Sequence, residues 1–365
     1  MKIIPLIDVL GKIEDKRSRH GRRYSLVSIL SACVVAMLCG YSSYSAIAEW
    51  CQNYGYQLLS SLGFKEKTPC AATFHNVLKS LDGVELEQKL GQWLQENFLI
   101  EEEALAIDGK TLRGSKKQGS PLYHLLSAVS SHLGITAYQW NVGEKTGEIK
   151  GFEKVLKGLI LEGKILTMDA LLTQRKIAKA IVKANCCYLM IAKGNQEYLK
   201  EDIASLLFFK EKMGETQTFE SHDKGHGRIE SRTLTLCQAE DYIDWPEVKQ
   251  VFSVEREIFH KGKRSFQKVY GLTNLSADQA DAQRLLKLNR EHWSVESKSH
   301  WVRDVVYQED HSQVRIGVLP QVMAAFRNMA IGLIKATGWQ SVTKANRFYA
   351  ANPFLSLELL FQIIK

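Results

Sequence analysis

Apolar residues recur at helical spacing through the first hundred positions and at strand spacing beyond them. Tyr24–Cys39, Ser43–Leu62, Ala71–Leu81 and Glu85–Phe98 each carry a helix-compatible pattern, separated by Gly40, by the stretch from Gly63 to Pro69, and by Asp82 and Gly83. The longest apolar run, LVSILSACVVAMLCG, reaches 14 residues before its glycine, short of the roughly 20 that span a bilayer. It follows Arg22 and Arg23 as the apolar part of a signal peptide would. Yet it begins at residue 26, holds two serines and has no small-residue cleavage site behind it. It therefore predicts a buried helix, and no membrane partner.

From residue 101 the period changes. ALAID, YHLLSAVSS and GITAYQWNV predict three strands, with a hairpin around His132–Gly134. A helix at Phe152–Leu161, the strand KILTMDA, a helix at Thr173–Lys183, the strand CCYLMIAKG and a helix through Tyr198–Phe209 follow. The order β-β-β-α-β-α-β-α indicates an α/β fold with a mixed sheet that is parallel in part. Residues 214–275 alternate polar and apolar and predict a β-rich insertion, with HDKGHGR as a turn. Helices return from Asp278 and include one at Pro320–Thr337. The domain expectation is a helical DNA-binding part over residues 1–100 and a catalytic domain over 101–365.

Composition narrows the classes. With 45% hydrophobic and 24% charged residues the chain reads as a folded globular protein. A net charge of +8 favours polyanionic partners. The charge is uneven: residues 11–24 hold six Lys or Arg against two acids, and residues 260–268 hold four with none. Seven cysteines without C-x-x-C spacing argue against zinc and disulfide frameworks and for reduced thiols in a cytoplasmic protein.

Three acids stand out against this background. Asp108 closes ALAID, Asp169 closes KILTMD, and Glu296 lies in a helical stretch. Singly, each has a plain structural reading: an Asp-Gly turn at Gly109, a helix cap at Asp169, a solvated helix residue at Glu296. Strand order changes the balance. If Asp108 ends the first strand and Asp169 the fourth, adjacent parallel strands bring both into one crevice. Asn289, His292, Trp293, Glu296, His300 and Arg303 follow 3, 4 and 7 spacing and predict a shared helix face. Carboxylates so placed suit Mg²⁺ or Mn²⁺ shared with substrate phosphates. Arg290, His292, His300 and Arg303 are candidate phosphate contacts, with Lys110 and Arg113 as further ones. Trp293 offers a face for an unstacked base or for core packing, and Trp301 suits core packing. The residues His222, Asp223 and His226 of the HDKGHGR segment read as a turn or DNA contact rather than as a metal site.

AIDGKTLRGS, LTMDALLTQ, AKGNQ, HGRIESR and NREHWSVESKSHWVRDVVYQED, in this order, resemble the H-repeat-associated transposases of bacterial insertion sequences. These are DDE transposases with an RNase H-like core, and the resemblance runs from near residue 16 almost to the C-terminus. It implies that Asp108, Asp169 and Glu296 are the catalytic and metal-ligating acids, holding two Mg²⁺ (or Mn²⁺) ions. It implies double-stranded DNA partners, namely element terminal inverted repeats and target DNA, with cleavage and strand transfer by a homodimer at the bacterial nucleoid. Arg17, Arg19, Arg22 and Arg23 of the basic arm, with Arg290, His292, Trp293, His300 and Arg303, are the expected DNA-binding residues. The chain departs from the family at Ser297 and Ser299, which replace Asn and Leu, and basic and aromatic signature positions fall on Asn289, His292 and Arg303. Two rivals stay open: a nuclease of the same fold that does not join DNA, and a non-catalytic DNA-binding derivative.

Overall fold

Helices begin where a side chain can satisfy the first orphan N–H groups. In the computed structural model, which describes residues 4–361 apart from 21, 55, 100, 102, 117–121, 144–146 and 226, six helices come first. They are α1 (Leu6–Gly11), α2 (Leu26–Leu38), α3 (Tyr44–Asn53), α4 (Tyr56–Ser61), α5 (Ala71–Lys79) and α6 (Gly83–Phe98). Ser25 caps α2 by accepting from Ser28 N–H at 3.1 Å, Ser43 caps α3, and Asp82 caps α6. The helix expected over Ser43–Leu62 breaks at Tyr54, whose backbone is extended (φ −91°, ψ 141°).

The next elements follow the expected order: β1 (Ala104–Leu112), β2 (Tyr123–Ser130), β3 (Thr136–Asn141), α7 (Glu148–Lys157), β4 (Ile165–Met168), α8 (Arg175–Lys183), β5 (Cys187–Ala192) and α9 (Glu197–Met213). Long strands β6 (Gln217–Gly225), β7 (Arg228–Gln238), β8 (Gln250–His260) and β9 (Lys263–Thr273) occupy the predicted insertion. Then come α10 (Ala282–Val295), π-helical turns at Glu296–His300 and Val302–Val306, and the helices α11 (Leu319–Ala336), α12 (Val342–Ala351) and α13 (Pro353–Phe361). The sheet order is β3-β2-β1-β4-β5-β9-β8-β7-β6. This is the mixed, RNase H-like sheet expected, and the insertion continues it directly, because β9 pairs antiparallel with β5 (Leu189 opposite Thr273).

The chain forms two compact units. The first contains Met1–Glu102, Gly109–Ile160 and Val295–Lys365. Its core is built on α2, buried at every position but Val27, and on α11, buried from Leu319 to Ile334. The apolar run LVSILSACVVAML is thus a core helix, and among the described residues no helix is long and apolar enough to cross a membrane. Helix α6 lies close on β3 because position 91 is glycine: a Cβ there would sit 2.6 Å from the Ala137 carbonyl oxygen. Gln95 fastens this contact, donating to the carbonyls of Ala137 (3.2 Å) and Gly158 (2.9 Å) and accepting from Ile160 N–H (2.7 Å). All seven cysteines are free, and burial pushes the thiols of Cys39 and Cys51 up to about 11 and 12.

The second unit contains Glu103–Asp108 and Leu161–Ser294. Parallel pairing of β1 with β4 and of β4 with β5 leads into the antiparallel ladder of β9, β8, β7 and β6. Leu189, Ile191, Leu234, Phe252 and Val254 pack with Leu285, Leu286 and Leu288 of α10 in one apolar cluster. Burial decays along the long strands: β8 is buried from Gln250 to Val254 and exposed by Phe259 and His260.

Candidate active site

In the second unit the register of two strands brings the first two acids together. Ala104 through Ile107 of β1 face Ile165 through Met168 of β4 in parallel, Ile107 opposite Met168. The next residue on each chain is an aspartate, Asp108 and Asp169, so both leave the paired segment side by side on one face. One expectation needs correction. Asp108 does not end its strand, for β1 continues to Leu112, and the Asp-Gly pair is strand rather than turn. Gly109 is required there for space, since a Cβ would collide with Glu148 Oε1 and His124 Nε2.

Behind Asp169 the backbone turns, and its motif supplies the fastenings. Asp169 Oδ1 accepts from Leu171 N–H (3.0 Å) and Leu172 N–H (3.4 Å). The Thr173 hydroxyl lies within hydrogen-bonding distance of the carbonyls of Asp169 (3.1 Å) and Ile191 (2.8 Å). Asn195 and Gln196, the last residues of AKGNQ, donate to the carbonyls of Ala170 (2.5 Å) and Thr173 (3.1 Å). The motifs around residues 169 and 195 are therefore two sides of one clamp on the Asp169 loop. The sequence placed them apart, and their joint role was not visible in it.

Helix α10 is seated against this region by side chains first read as DNA contacts. His292 is 7% exposed, and its Nδ1 lies 3.0 Å from Thr167 Oγ1. Burial pushes its imidazole down to about 4, against the opposing pull of Asp169. A neutral ring turned to Thr167 supplies no cation to a phosphate, which corrects the reading of His292 as a phosphate contact. Trp293 is 47% exposed with Lys193 Nζ 5.8 Å from its ring centre, so it is not a core residue. Arg290 pairs with Asp223 of β6 at 2.8 Å. Asp223 also accepts from Arg232, and His222 meets Ser231 Oγ at 2.8 Å; His226 lies outside the described residues.

In the first unit, Glu296 opens the π-helical stretch and lines a cleft of about 940 Å³ together with Gly109, Lys110, Arg113, His124, His300, Trp301 and Asp304. A π turn carries more residues than the α-helical 3.6, so the spacing that predicted one shared face fails past residue 295. Trp301 is 54% exposed and opens onto the cleft instead of the core. Arg303 is turned wholly inward, at 0% exposure, with its Nε 2.8 Å from Glu309 Oε2. Glu309 also meets Arg327 at 3.1 Å. Burial raises the Glu309 carboxyl, but the two guanidinium groups outweigh it and hold it below the ordinary value. Arg303 is thus a core ion-pair residue and not the phosphate contact expected. Lys110 is likewise occupied, 7% exposed and 2.6 Å from both oxygens of Asp304. His300 is kept neutral near 3 by burial and by the charges of Arg303 and Lys110, so it too brings no positive charge.

The basic arm divides. Arg17 grips Asp15 with two 2.8 Å contacts, and Arg22 donates to the carbonyls of Ser18 and Asp15, both at 3.0 Å. Arg19 and Arg23 are exposed. A cleft of about 520 Å³ joins Arg17, Arg22 and Arg23 to Lys67, Thr73 and Asn76 on and before α5. The α5 side of this cleft was not read from the sequence.

Among the described residues no group of three or more His, Cys, Asp or Glu side chains is gathered for metal binding. The donors present nevertheless suit a hard divalent cation: Asp108 and Asp169 are both carboxylates on one face of in-register strands. The nearest ammonium on the same strand, Lys110, is engaged by Asp304.

Residues 7–94 match the family model described as DDE_Tnp_1-associated, and residues 100–333 match that of the transposase DDE domain. The chain is 29% identical to the protein named "Putative transposase YncI" of Escherichia coli O157:H7, over 92% of this chain and 88% of that one. It is 27% identical to the "H repeat-associated putative transposase YhhI" of Escherichia coli strain K12, over 92% and 91%. Among solved structures it aligns with a piggyBac transposase synaptic complex with hairpin DNA at TM-score 0.45 and 10% identity, over 97% of this chain and 76% of that one. The chain belongs to the transposase DDE domain family.

Proposed function

We propose that this protein is the DNA transposase of an insertion sequence, which binds the element's terminal repeats, cleaves at them and joins the freed ends to target DNA. The observation that carries the reading is the pairing of Ile107 with Met168, which sets Asp108 and Asp169 side by side at the edge of a parallel pair. Asp108 and Asp169, completed by Glu296, would hold two Mg²⁺ or Mn²⁺ ions. Such ions would supply Lewis-acid chemistry at the attacking and departing oxygens. The protein's own contribution is position: little covalent work falls to it in phosphoryl transfer. The Asp169 loop is fixed by Thr173, Asn195 and Gln196, and β1 is kept on its path by Gly109. In the first step water attacks the phosphodiester phosphorus at the element end and the 3′-oxygen leaves. In the second, that 3′-hydroxyl attacks a target phosphodiester and displaces its 3′-oxygen.

Residues 1–100 form the end-binding part in this reading, with Arg17, Arg19, Arg22 and Arg23 toward the DNA, and the active form is a homodimer on two ends. The test uses duplexes carrying the terminal inverted repeats that flank the gene. Asp108→Asn, Asp169→Asn and Glu296→Gln are each expected to lower metal-dependent end cleavage at least about 10³-fold while duplex binding persists. Wild-type-like cleavage in any of the three removes that residue from the site. Cleavage without joining of a pre-cut 3′-end would favour the nuclease reading.

A further inference from the structure

Arg228 to Arg232 of the HGRIESR segment open strand β7. Side chains two apart on a strand share a face, so Arg228, Glu230 and Arg232 of β7 stand in one row. Pairing adds to that face Asp223 opposite Glu230, and His260, Ile258 and Arg256 of β8 opposite Arg228, Glu230 and Arg232. Lys263 of β9 follows opposite His260.

The row is held together by two carboxylates. Glu230 is 3% exposed and receives Arg256 Nε, Arg232 (2.5 Å) and, more loosely, Arg228 (3.6 Å). Asp223 receives Arg232 and Arg290, each at 2.8 Å. Burial raises the Glu230 carboxyl, but the Arg256 hydrogen bond and the surrounding guanidinium charges outweigh it and hold it below the ordinary value. Arg232 is itself pushed down by burial and, despite Glu230, by the nearby charges of Arg290 and Arg256. Four guanidinium groups thus share two carboxylates, and the surplus positive charge must be met from outside. The opposite face of the same strands shows no such surplus: Lys224, Arg264 and Lys268 are balanced by Glu220, Glu255 and Glu257. Charge that served only solubility would not separate by strand parity.

We propose that the face bearing Arg228, Arg232, Arg256 and, from α10, Arg290 is a phosphate-backbone site for duplex DNA. The proposal rests on the transposase reading above and adds a binding surface to it. Glu230 and Asp223 act as internal braces that aim the guanidinium groups. An arginine held in this way loses less freedom on meeting a phosphate than a mobile lysine does. From Arg228 to Arg232 the strand rises about 13 Å, the axial length of about four base pairs.

The test measures binding of the full-length protein to a fluorescein-labelled 40-base-pair duplex of arbitrary sequence across a salt series. For the wild type, log affinity is expected to fall linearly with log salt. Arg228→Ala with Arg256→Ala should flatten that slope by about two and weaken binding at least about 10-fold at low salt. Arg228→Gln alone should flatten it by about one; this side chain touches Glu230 only at 3.6 Å, so the brace survives if the double variant misfolds. Lys224→Gln with Arg264→Gln, on the opposite face, should leave the slope unchanged. A wild-type slope in the Arg228 variants overturns the proposal, as does an equal loss from the opposite-face pair. Absence of any wild-type binding to duplex overturns the transposase reading and this surface together.

Discussion

The surroundings of Asp169 and Glu296 are organised in opposite ways. Asp169 sits where an ordinary strand meets a loop, and its fastenings come from residues of its own motif and of AKGNQ. Glu296 opens a helix that abandons the α geometry, and its C-terminal neighbours Lys298 and Asp304 are engaged by partners far along the chain, while Arg303 meets Glu309. Lys110 reaches Asp304 across 194 residues, and Arg327 closes on Glu309 beside Arg303. An acid can thus be positioned by its local sequence or by buried ion pairs around it. The two means fail differently when disturbed. π turns concentrate at functional sites, and here the extra residue per turn exchanges Trp301 for Arg303 at the open side.

The Glu296 side should suffer most when one of its buried ions is removed. Arg303→Met leaves Glu309 and Arg327 buried with one partner fewer, and a broken buried pair costs about 3–5 kcal/mol. Denaturant titration should show a loss of that order, with end cleavage failing because the helix after Glu296 loses its anchor. A stable Arg303→Met that instead binds DNA poorly would return Arg303 to phosphate contact.

The Asp169 side should respond more gently. Asn195→Ala removes one hydrogen bond to the Ala170 carbonyl, which keeps the Thr173 N–H at 3.1 Å, so the loss is that of an ordinary hydrogen bond, about 0.5–1.5 kcal/mol. The fold should survive, while end cleavage falls about 10-fold or more as the loop loosens and duplex affinity stays level. Undiminished cleavage in Asn195→Ala would mean that Thr173 and Gln196 suffice.

The same contrast explains what could be read from the sequence. The order β1 to α9 was legible because alternation and helix spacing switch cleanly there, while the register that aligns Asp108 with Asp169 is fixed by the β1–β4 pairing. The continuation of β1 past Asp108 was not, since Asp-Gly is a turn signal and only the crowding of Glu148 and His124 shows why glycine stands in a strand. The π turns left no mark: SVESKSHWVRDVV contains neither glycine nor proline, and a 3.6 period assumes what it should test. Arg303 therefore looked like one more exposed cation. Arg228 was also expected in the HDKGHGR turn, whereas β7 begins at Arg228 and so carries Arg228, Glu230 and Arg232 on one strand face. The partners of that row on β6, β8 and α10 left no mark in the sequence either.

The two sides can also be compared by pH, at no more than about 1.4 kcal/mol per pH unit for each group. His292, packed near Asp169, is held neutral with its folded value near 4. Below the ordinary histidine value of 6.5 the unfolded chain takes up a proton that the folded one refuses. Stability is therefore level above 6.5 and falls as pH drops from there toward 4. Glu87 of α6, in the unit that contains Glu296, is shifted the other way. Burial, only partly offset by the Gln139 hydrogen bond and by Arg303, pushes its carboxyl up to about 8. Its contribution is complete below 4.5 and is lost as pH rises through 8, since the unfolded carboxyl ionises first. Denaturant midpoints from pH 4 to 9 should show both flanks. Glu87→Gln should flatten only the alkaline one and His292→Gln only the acid one. A Glu87→Gln protein that still loses stability between pH 5 and 8 as the wild type does would show that Glu87 is ionised in the folded state, its charge matched by Arg303. The Arg303 cluster would then extend to Glu87, and the side of the molecule that depends on buried ion pairs would reach as far as β3.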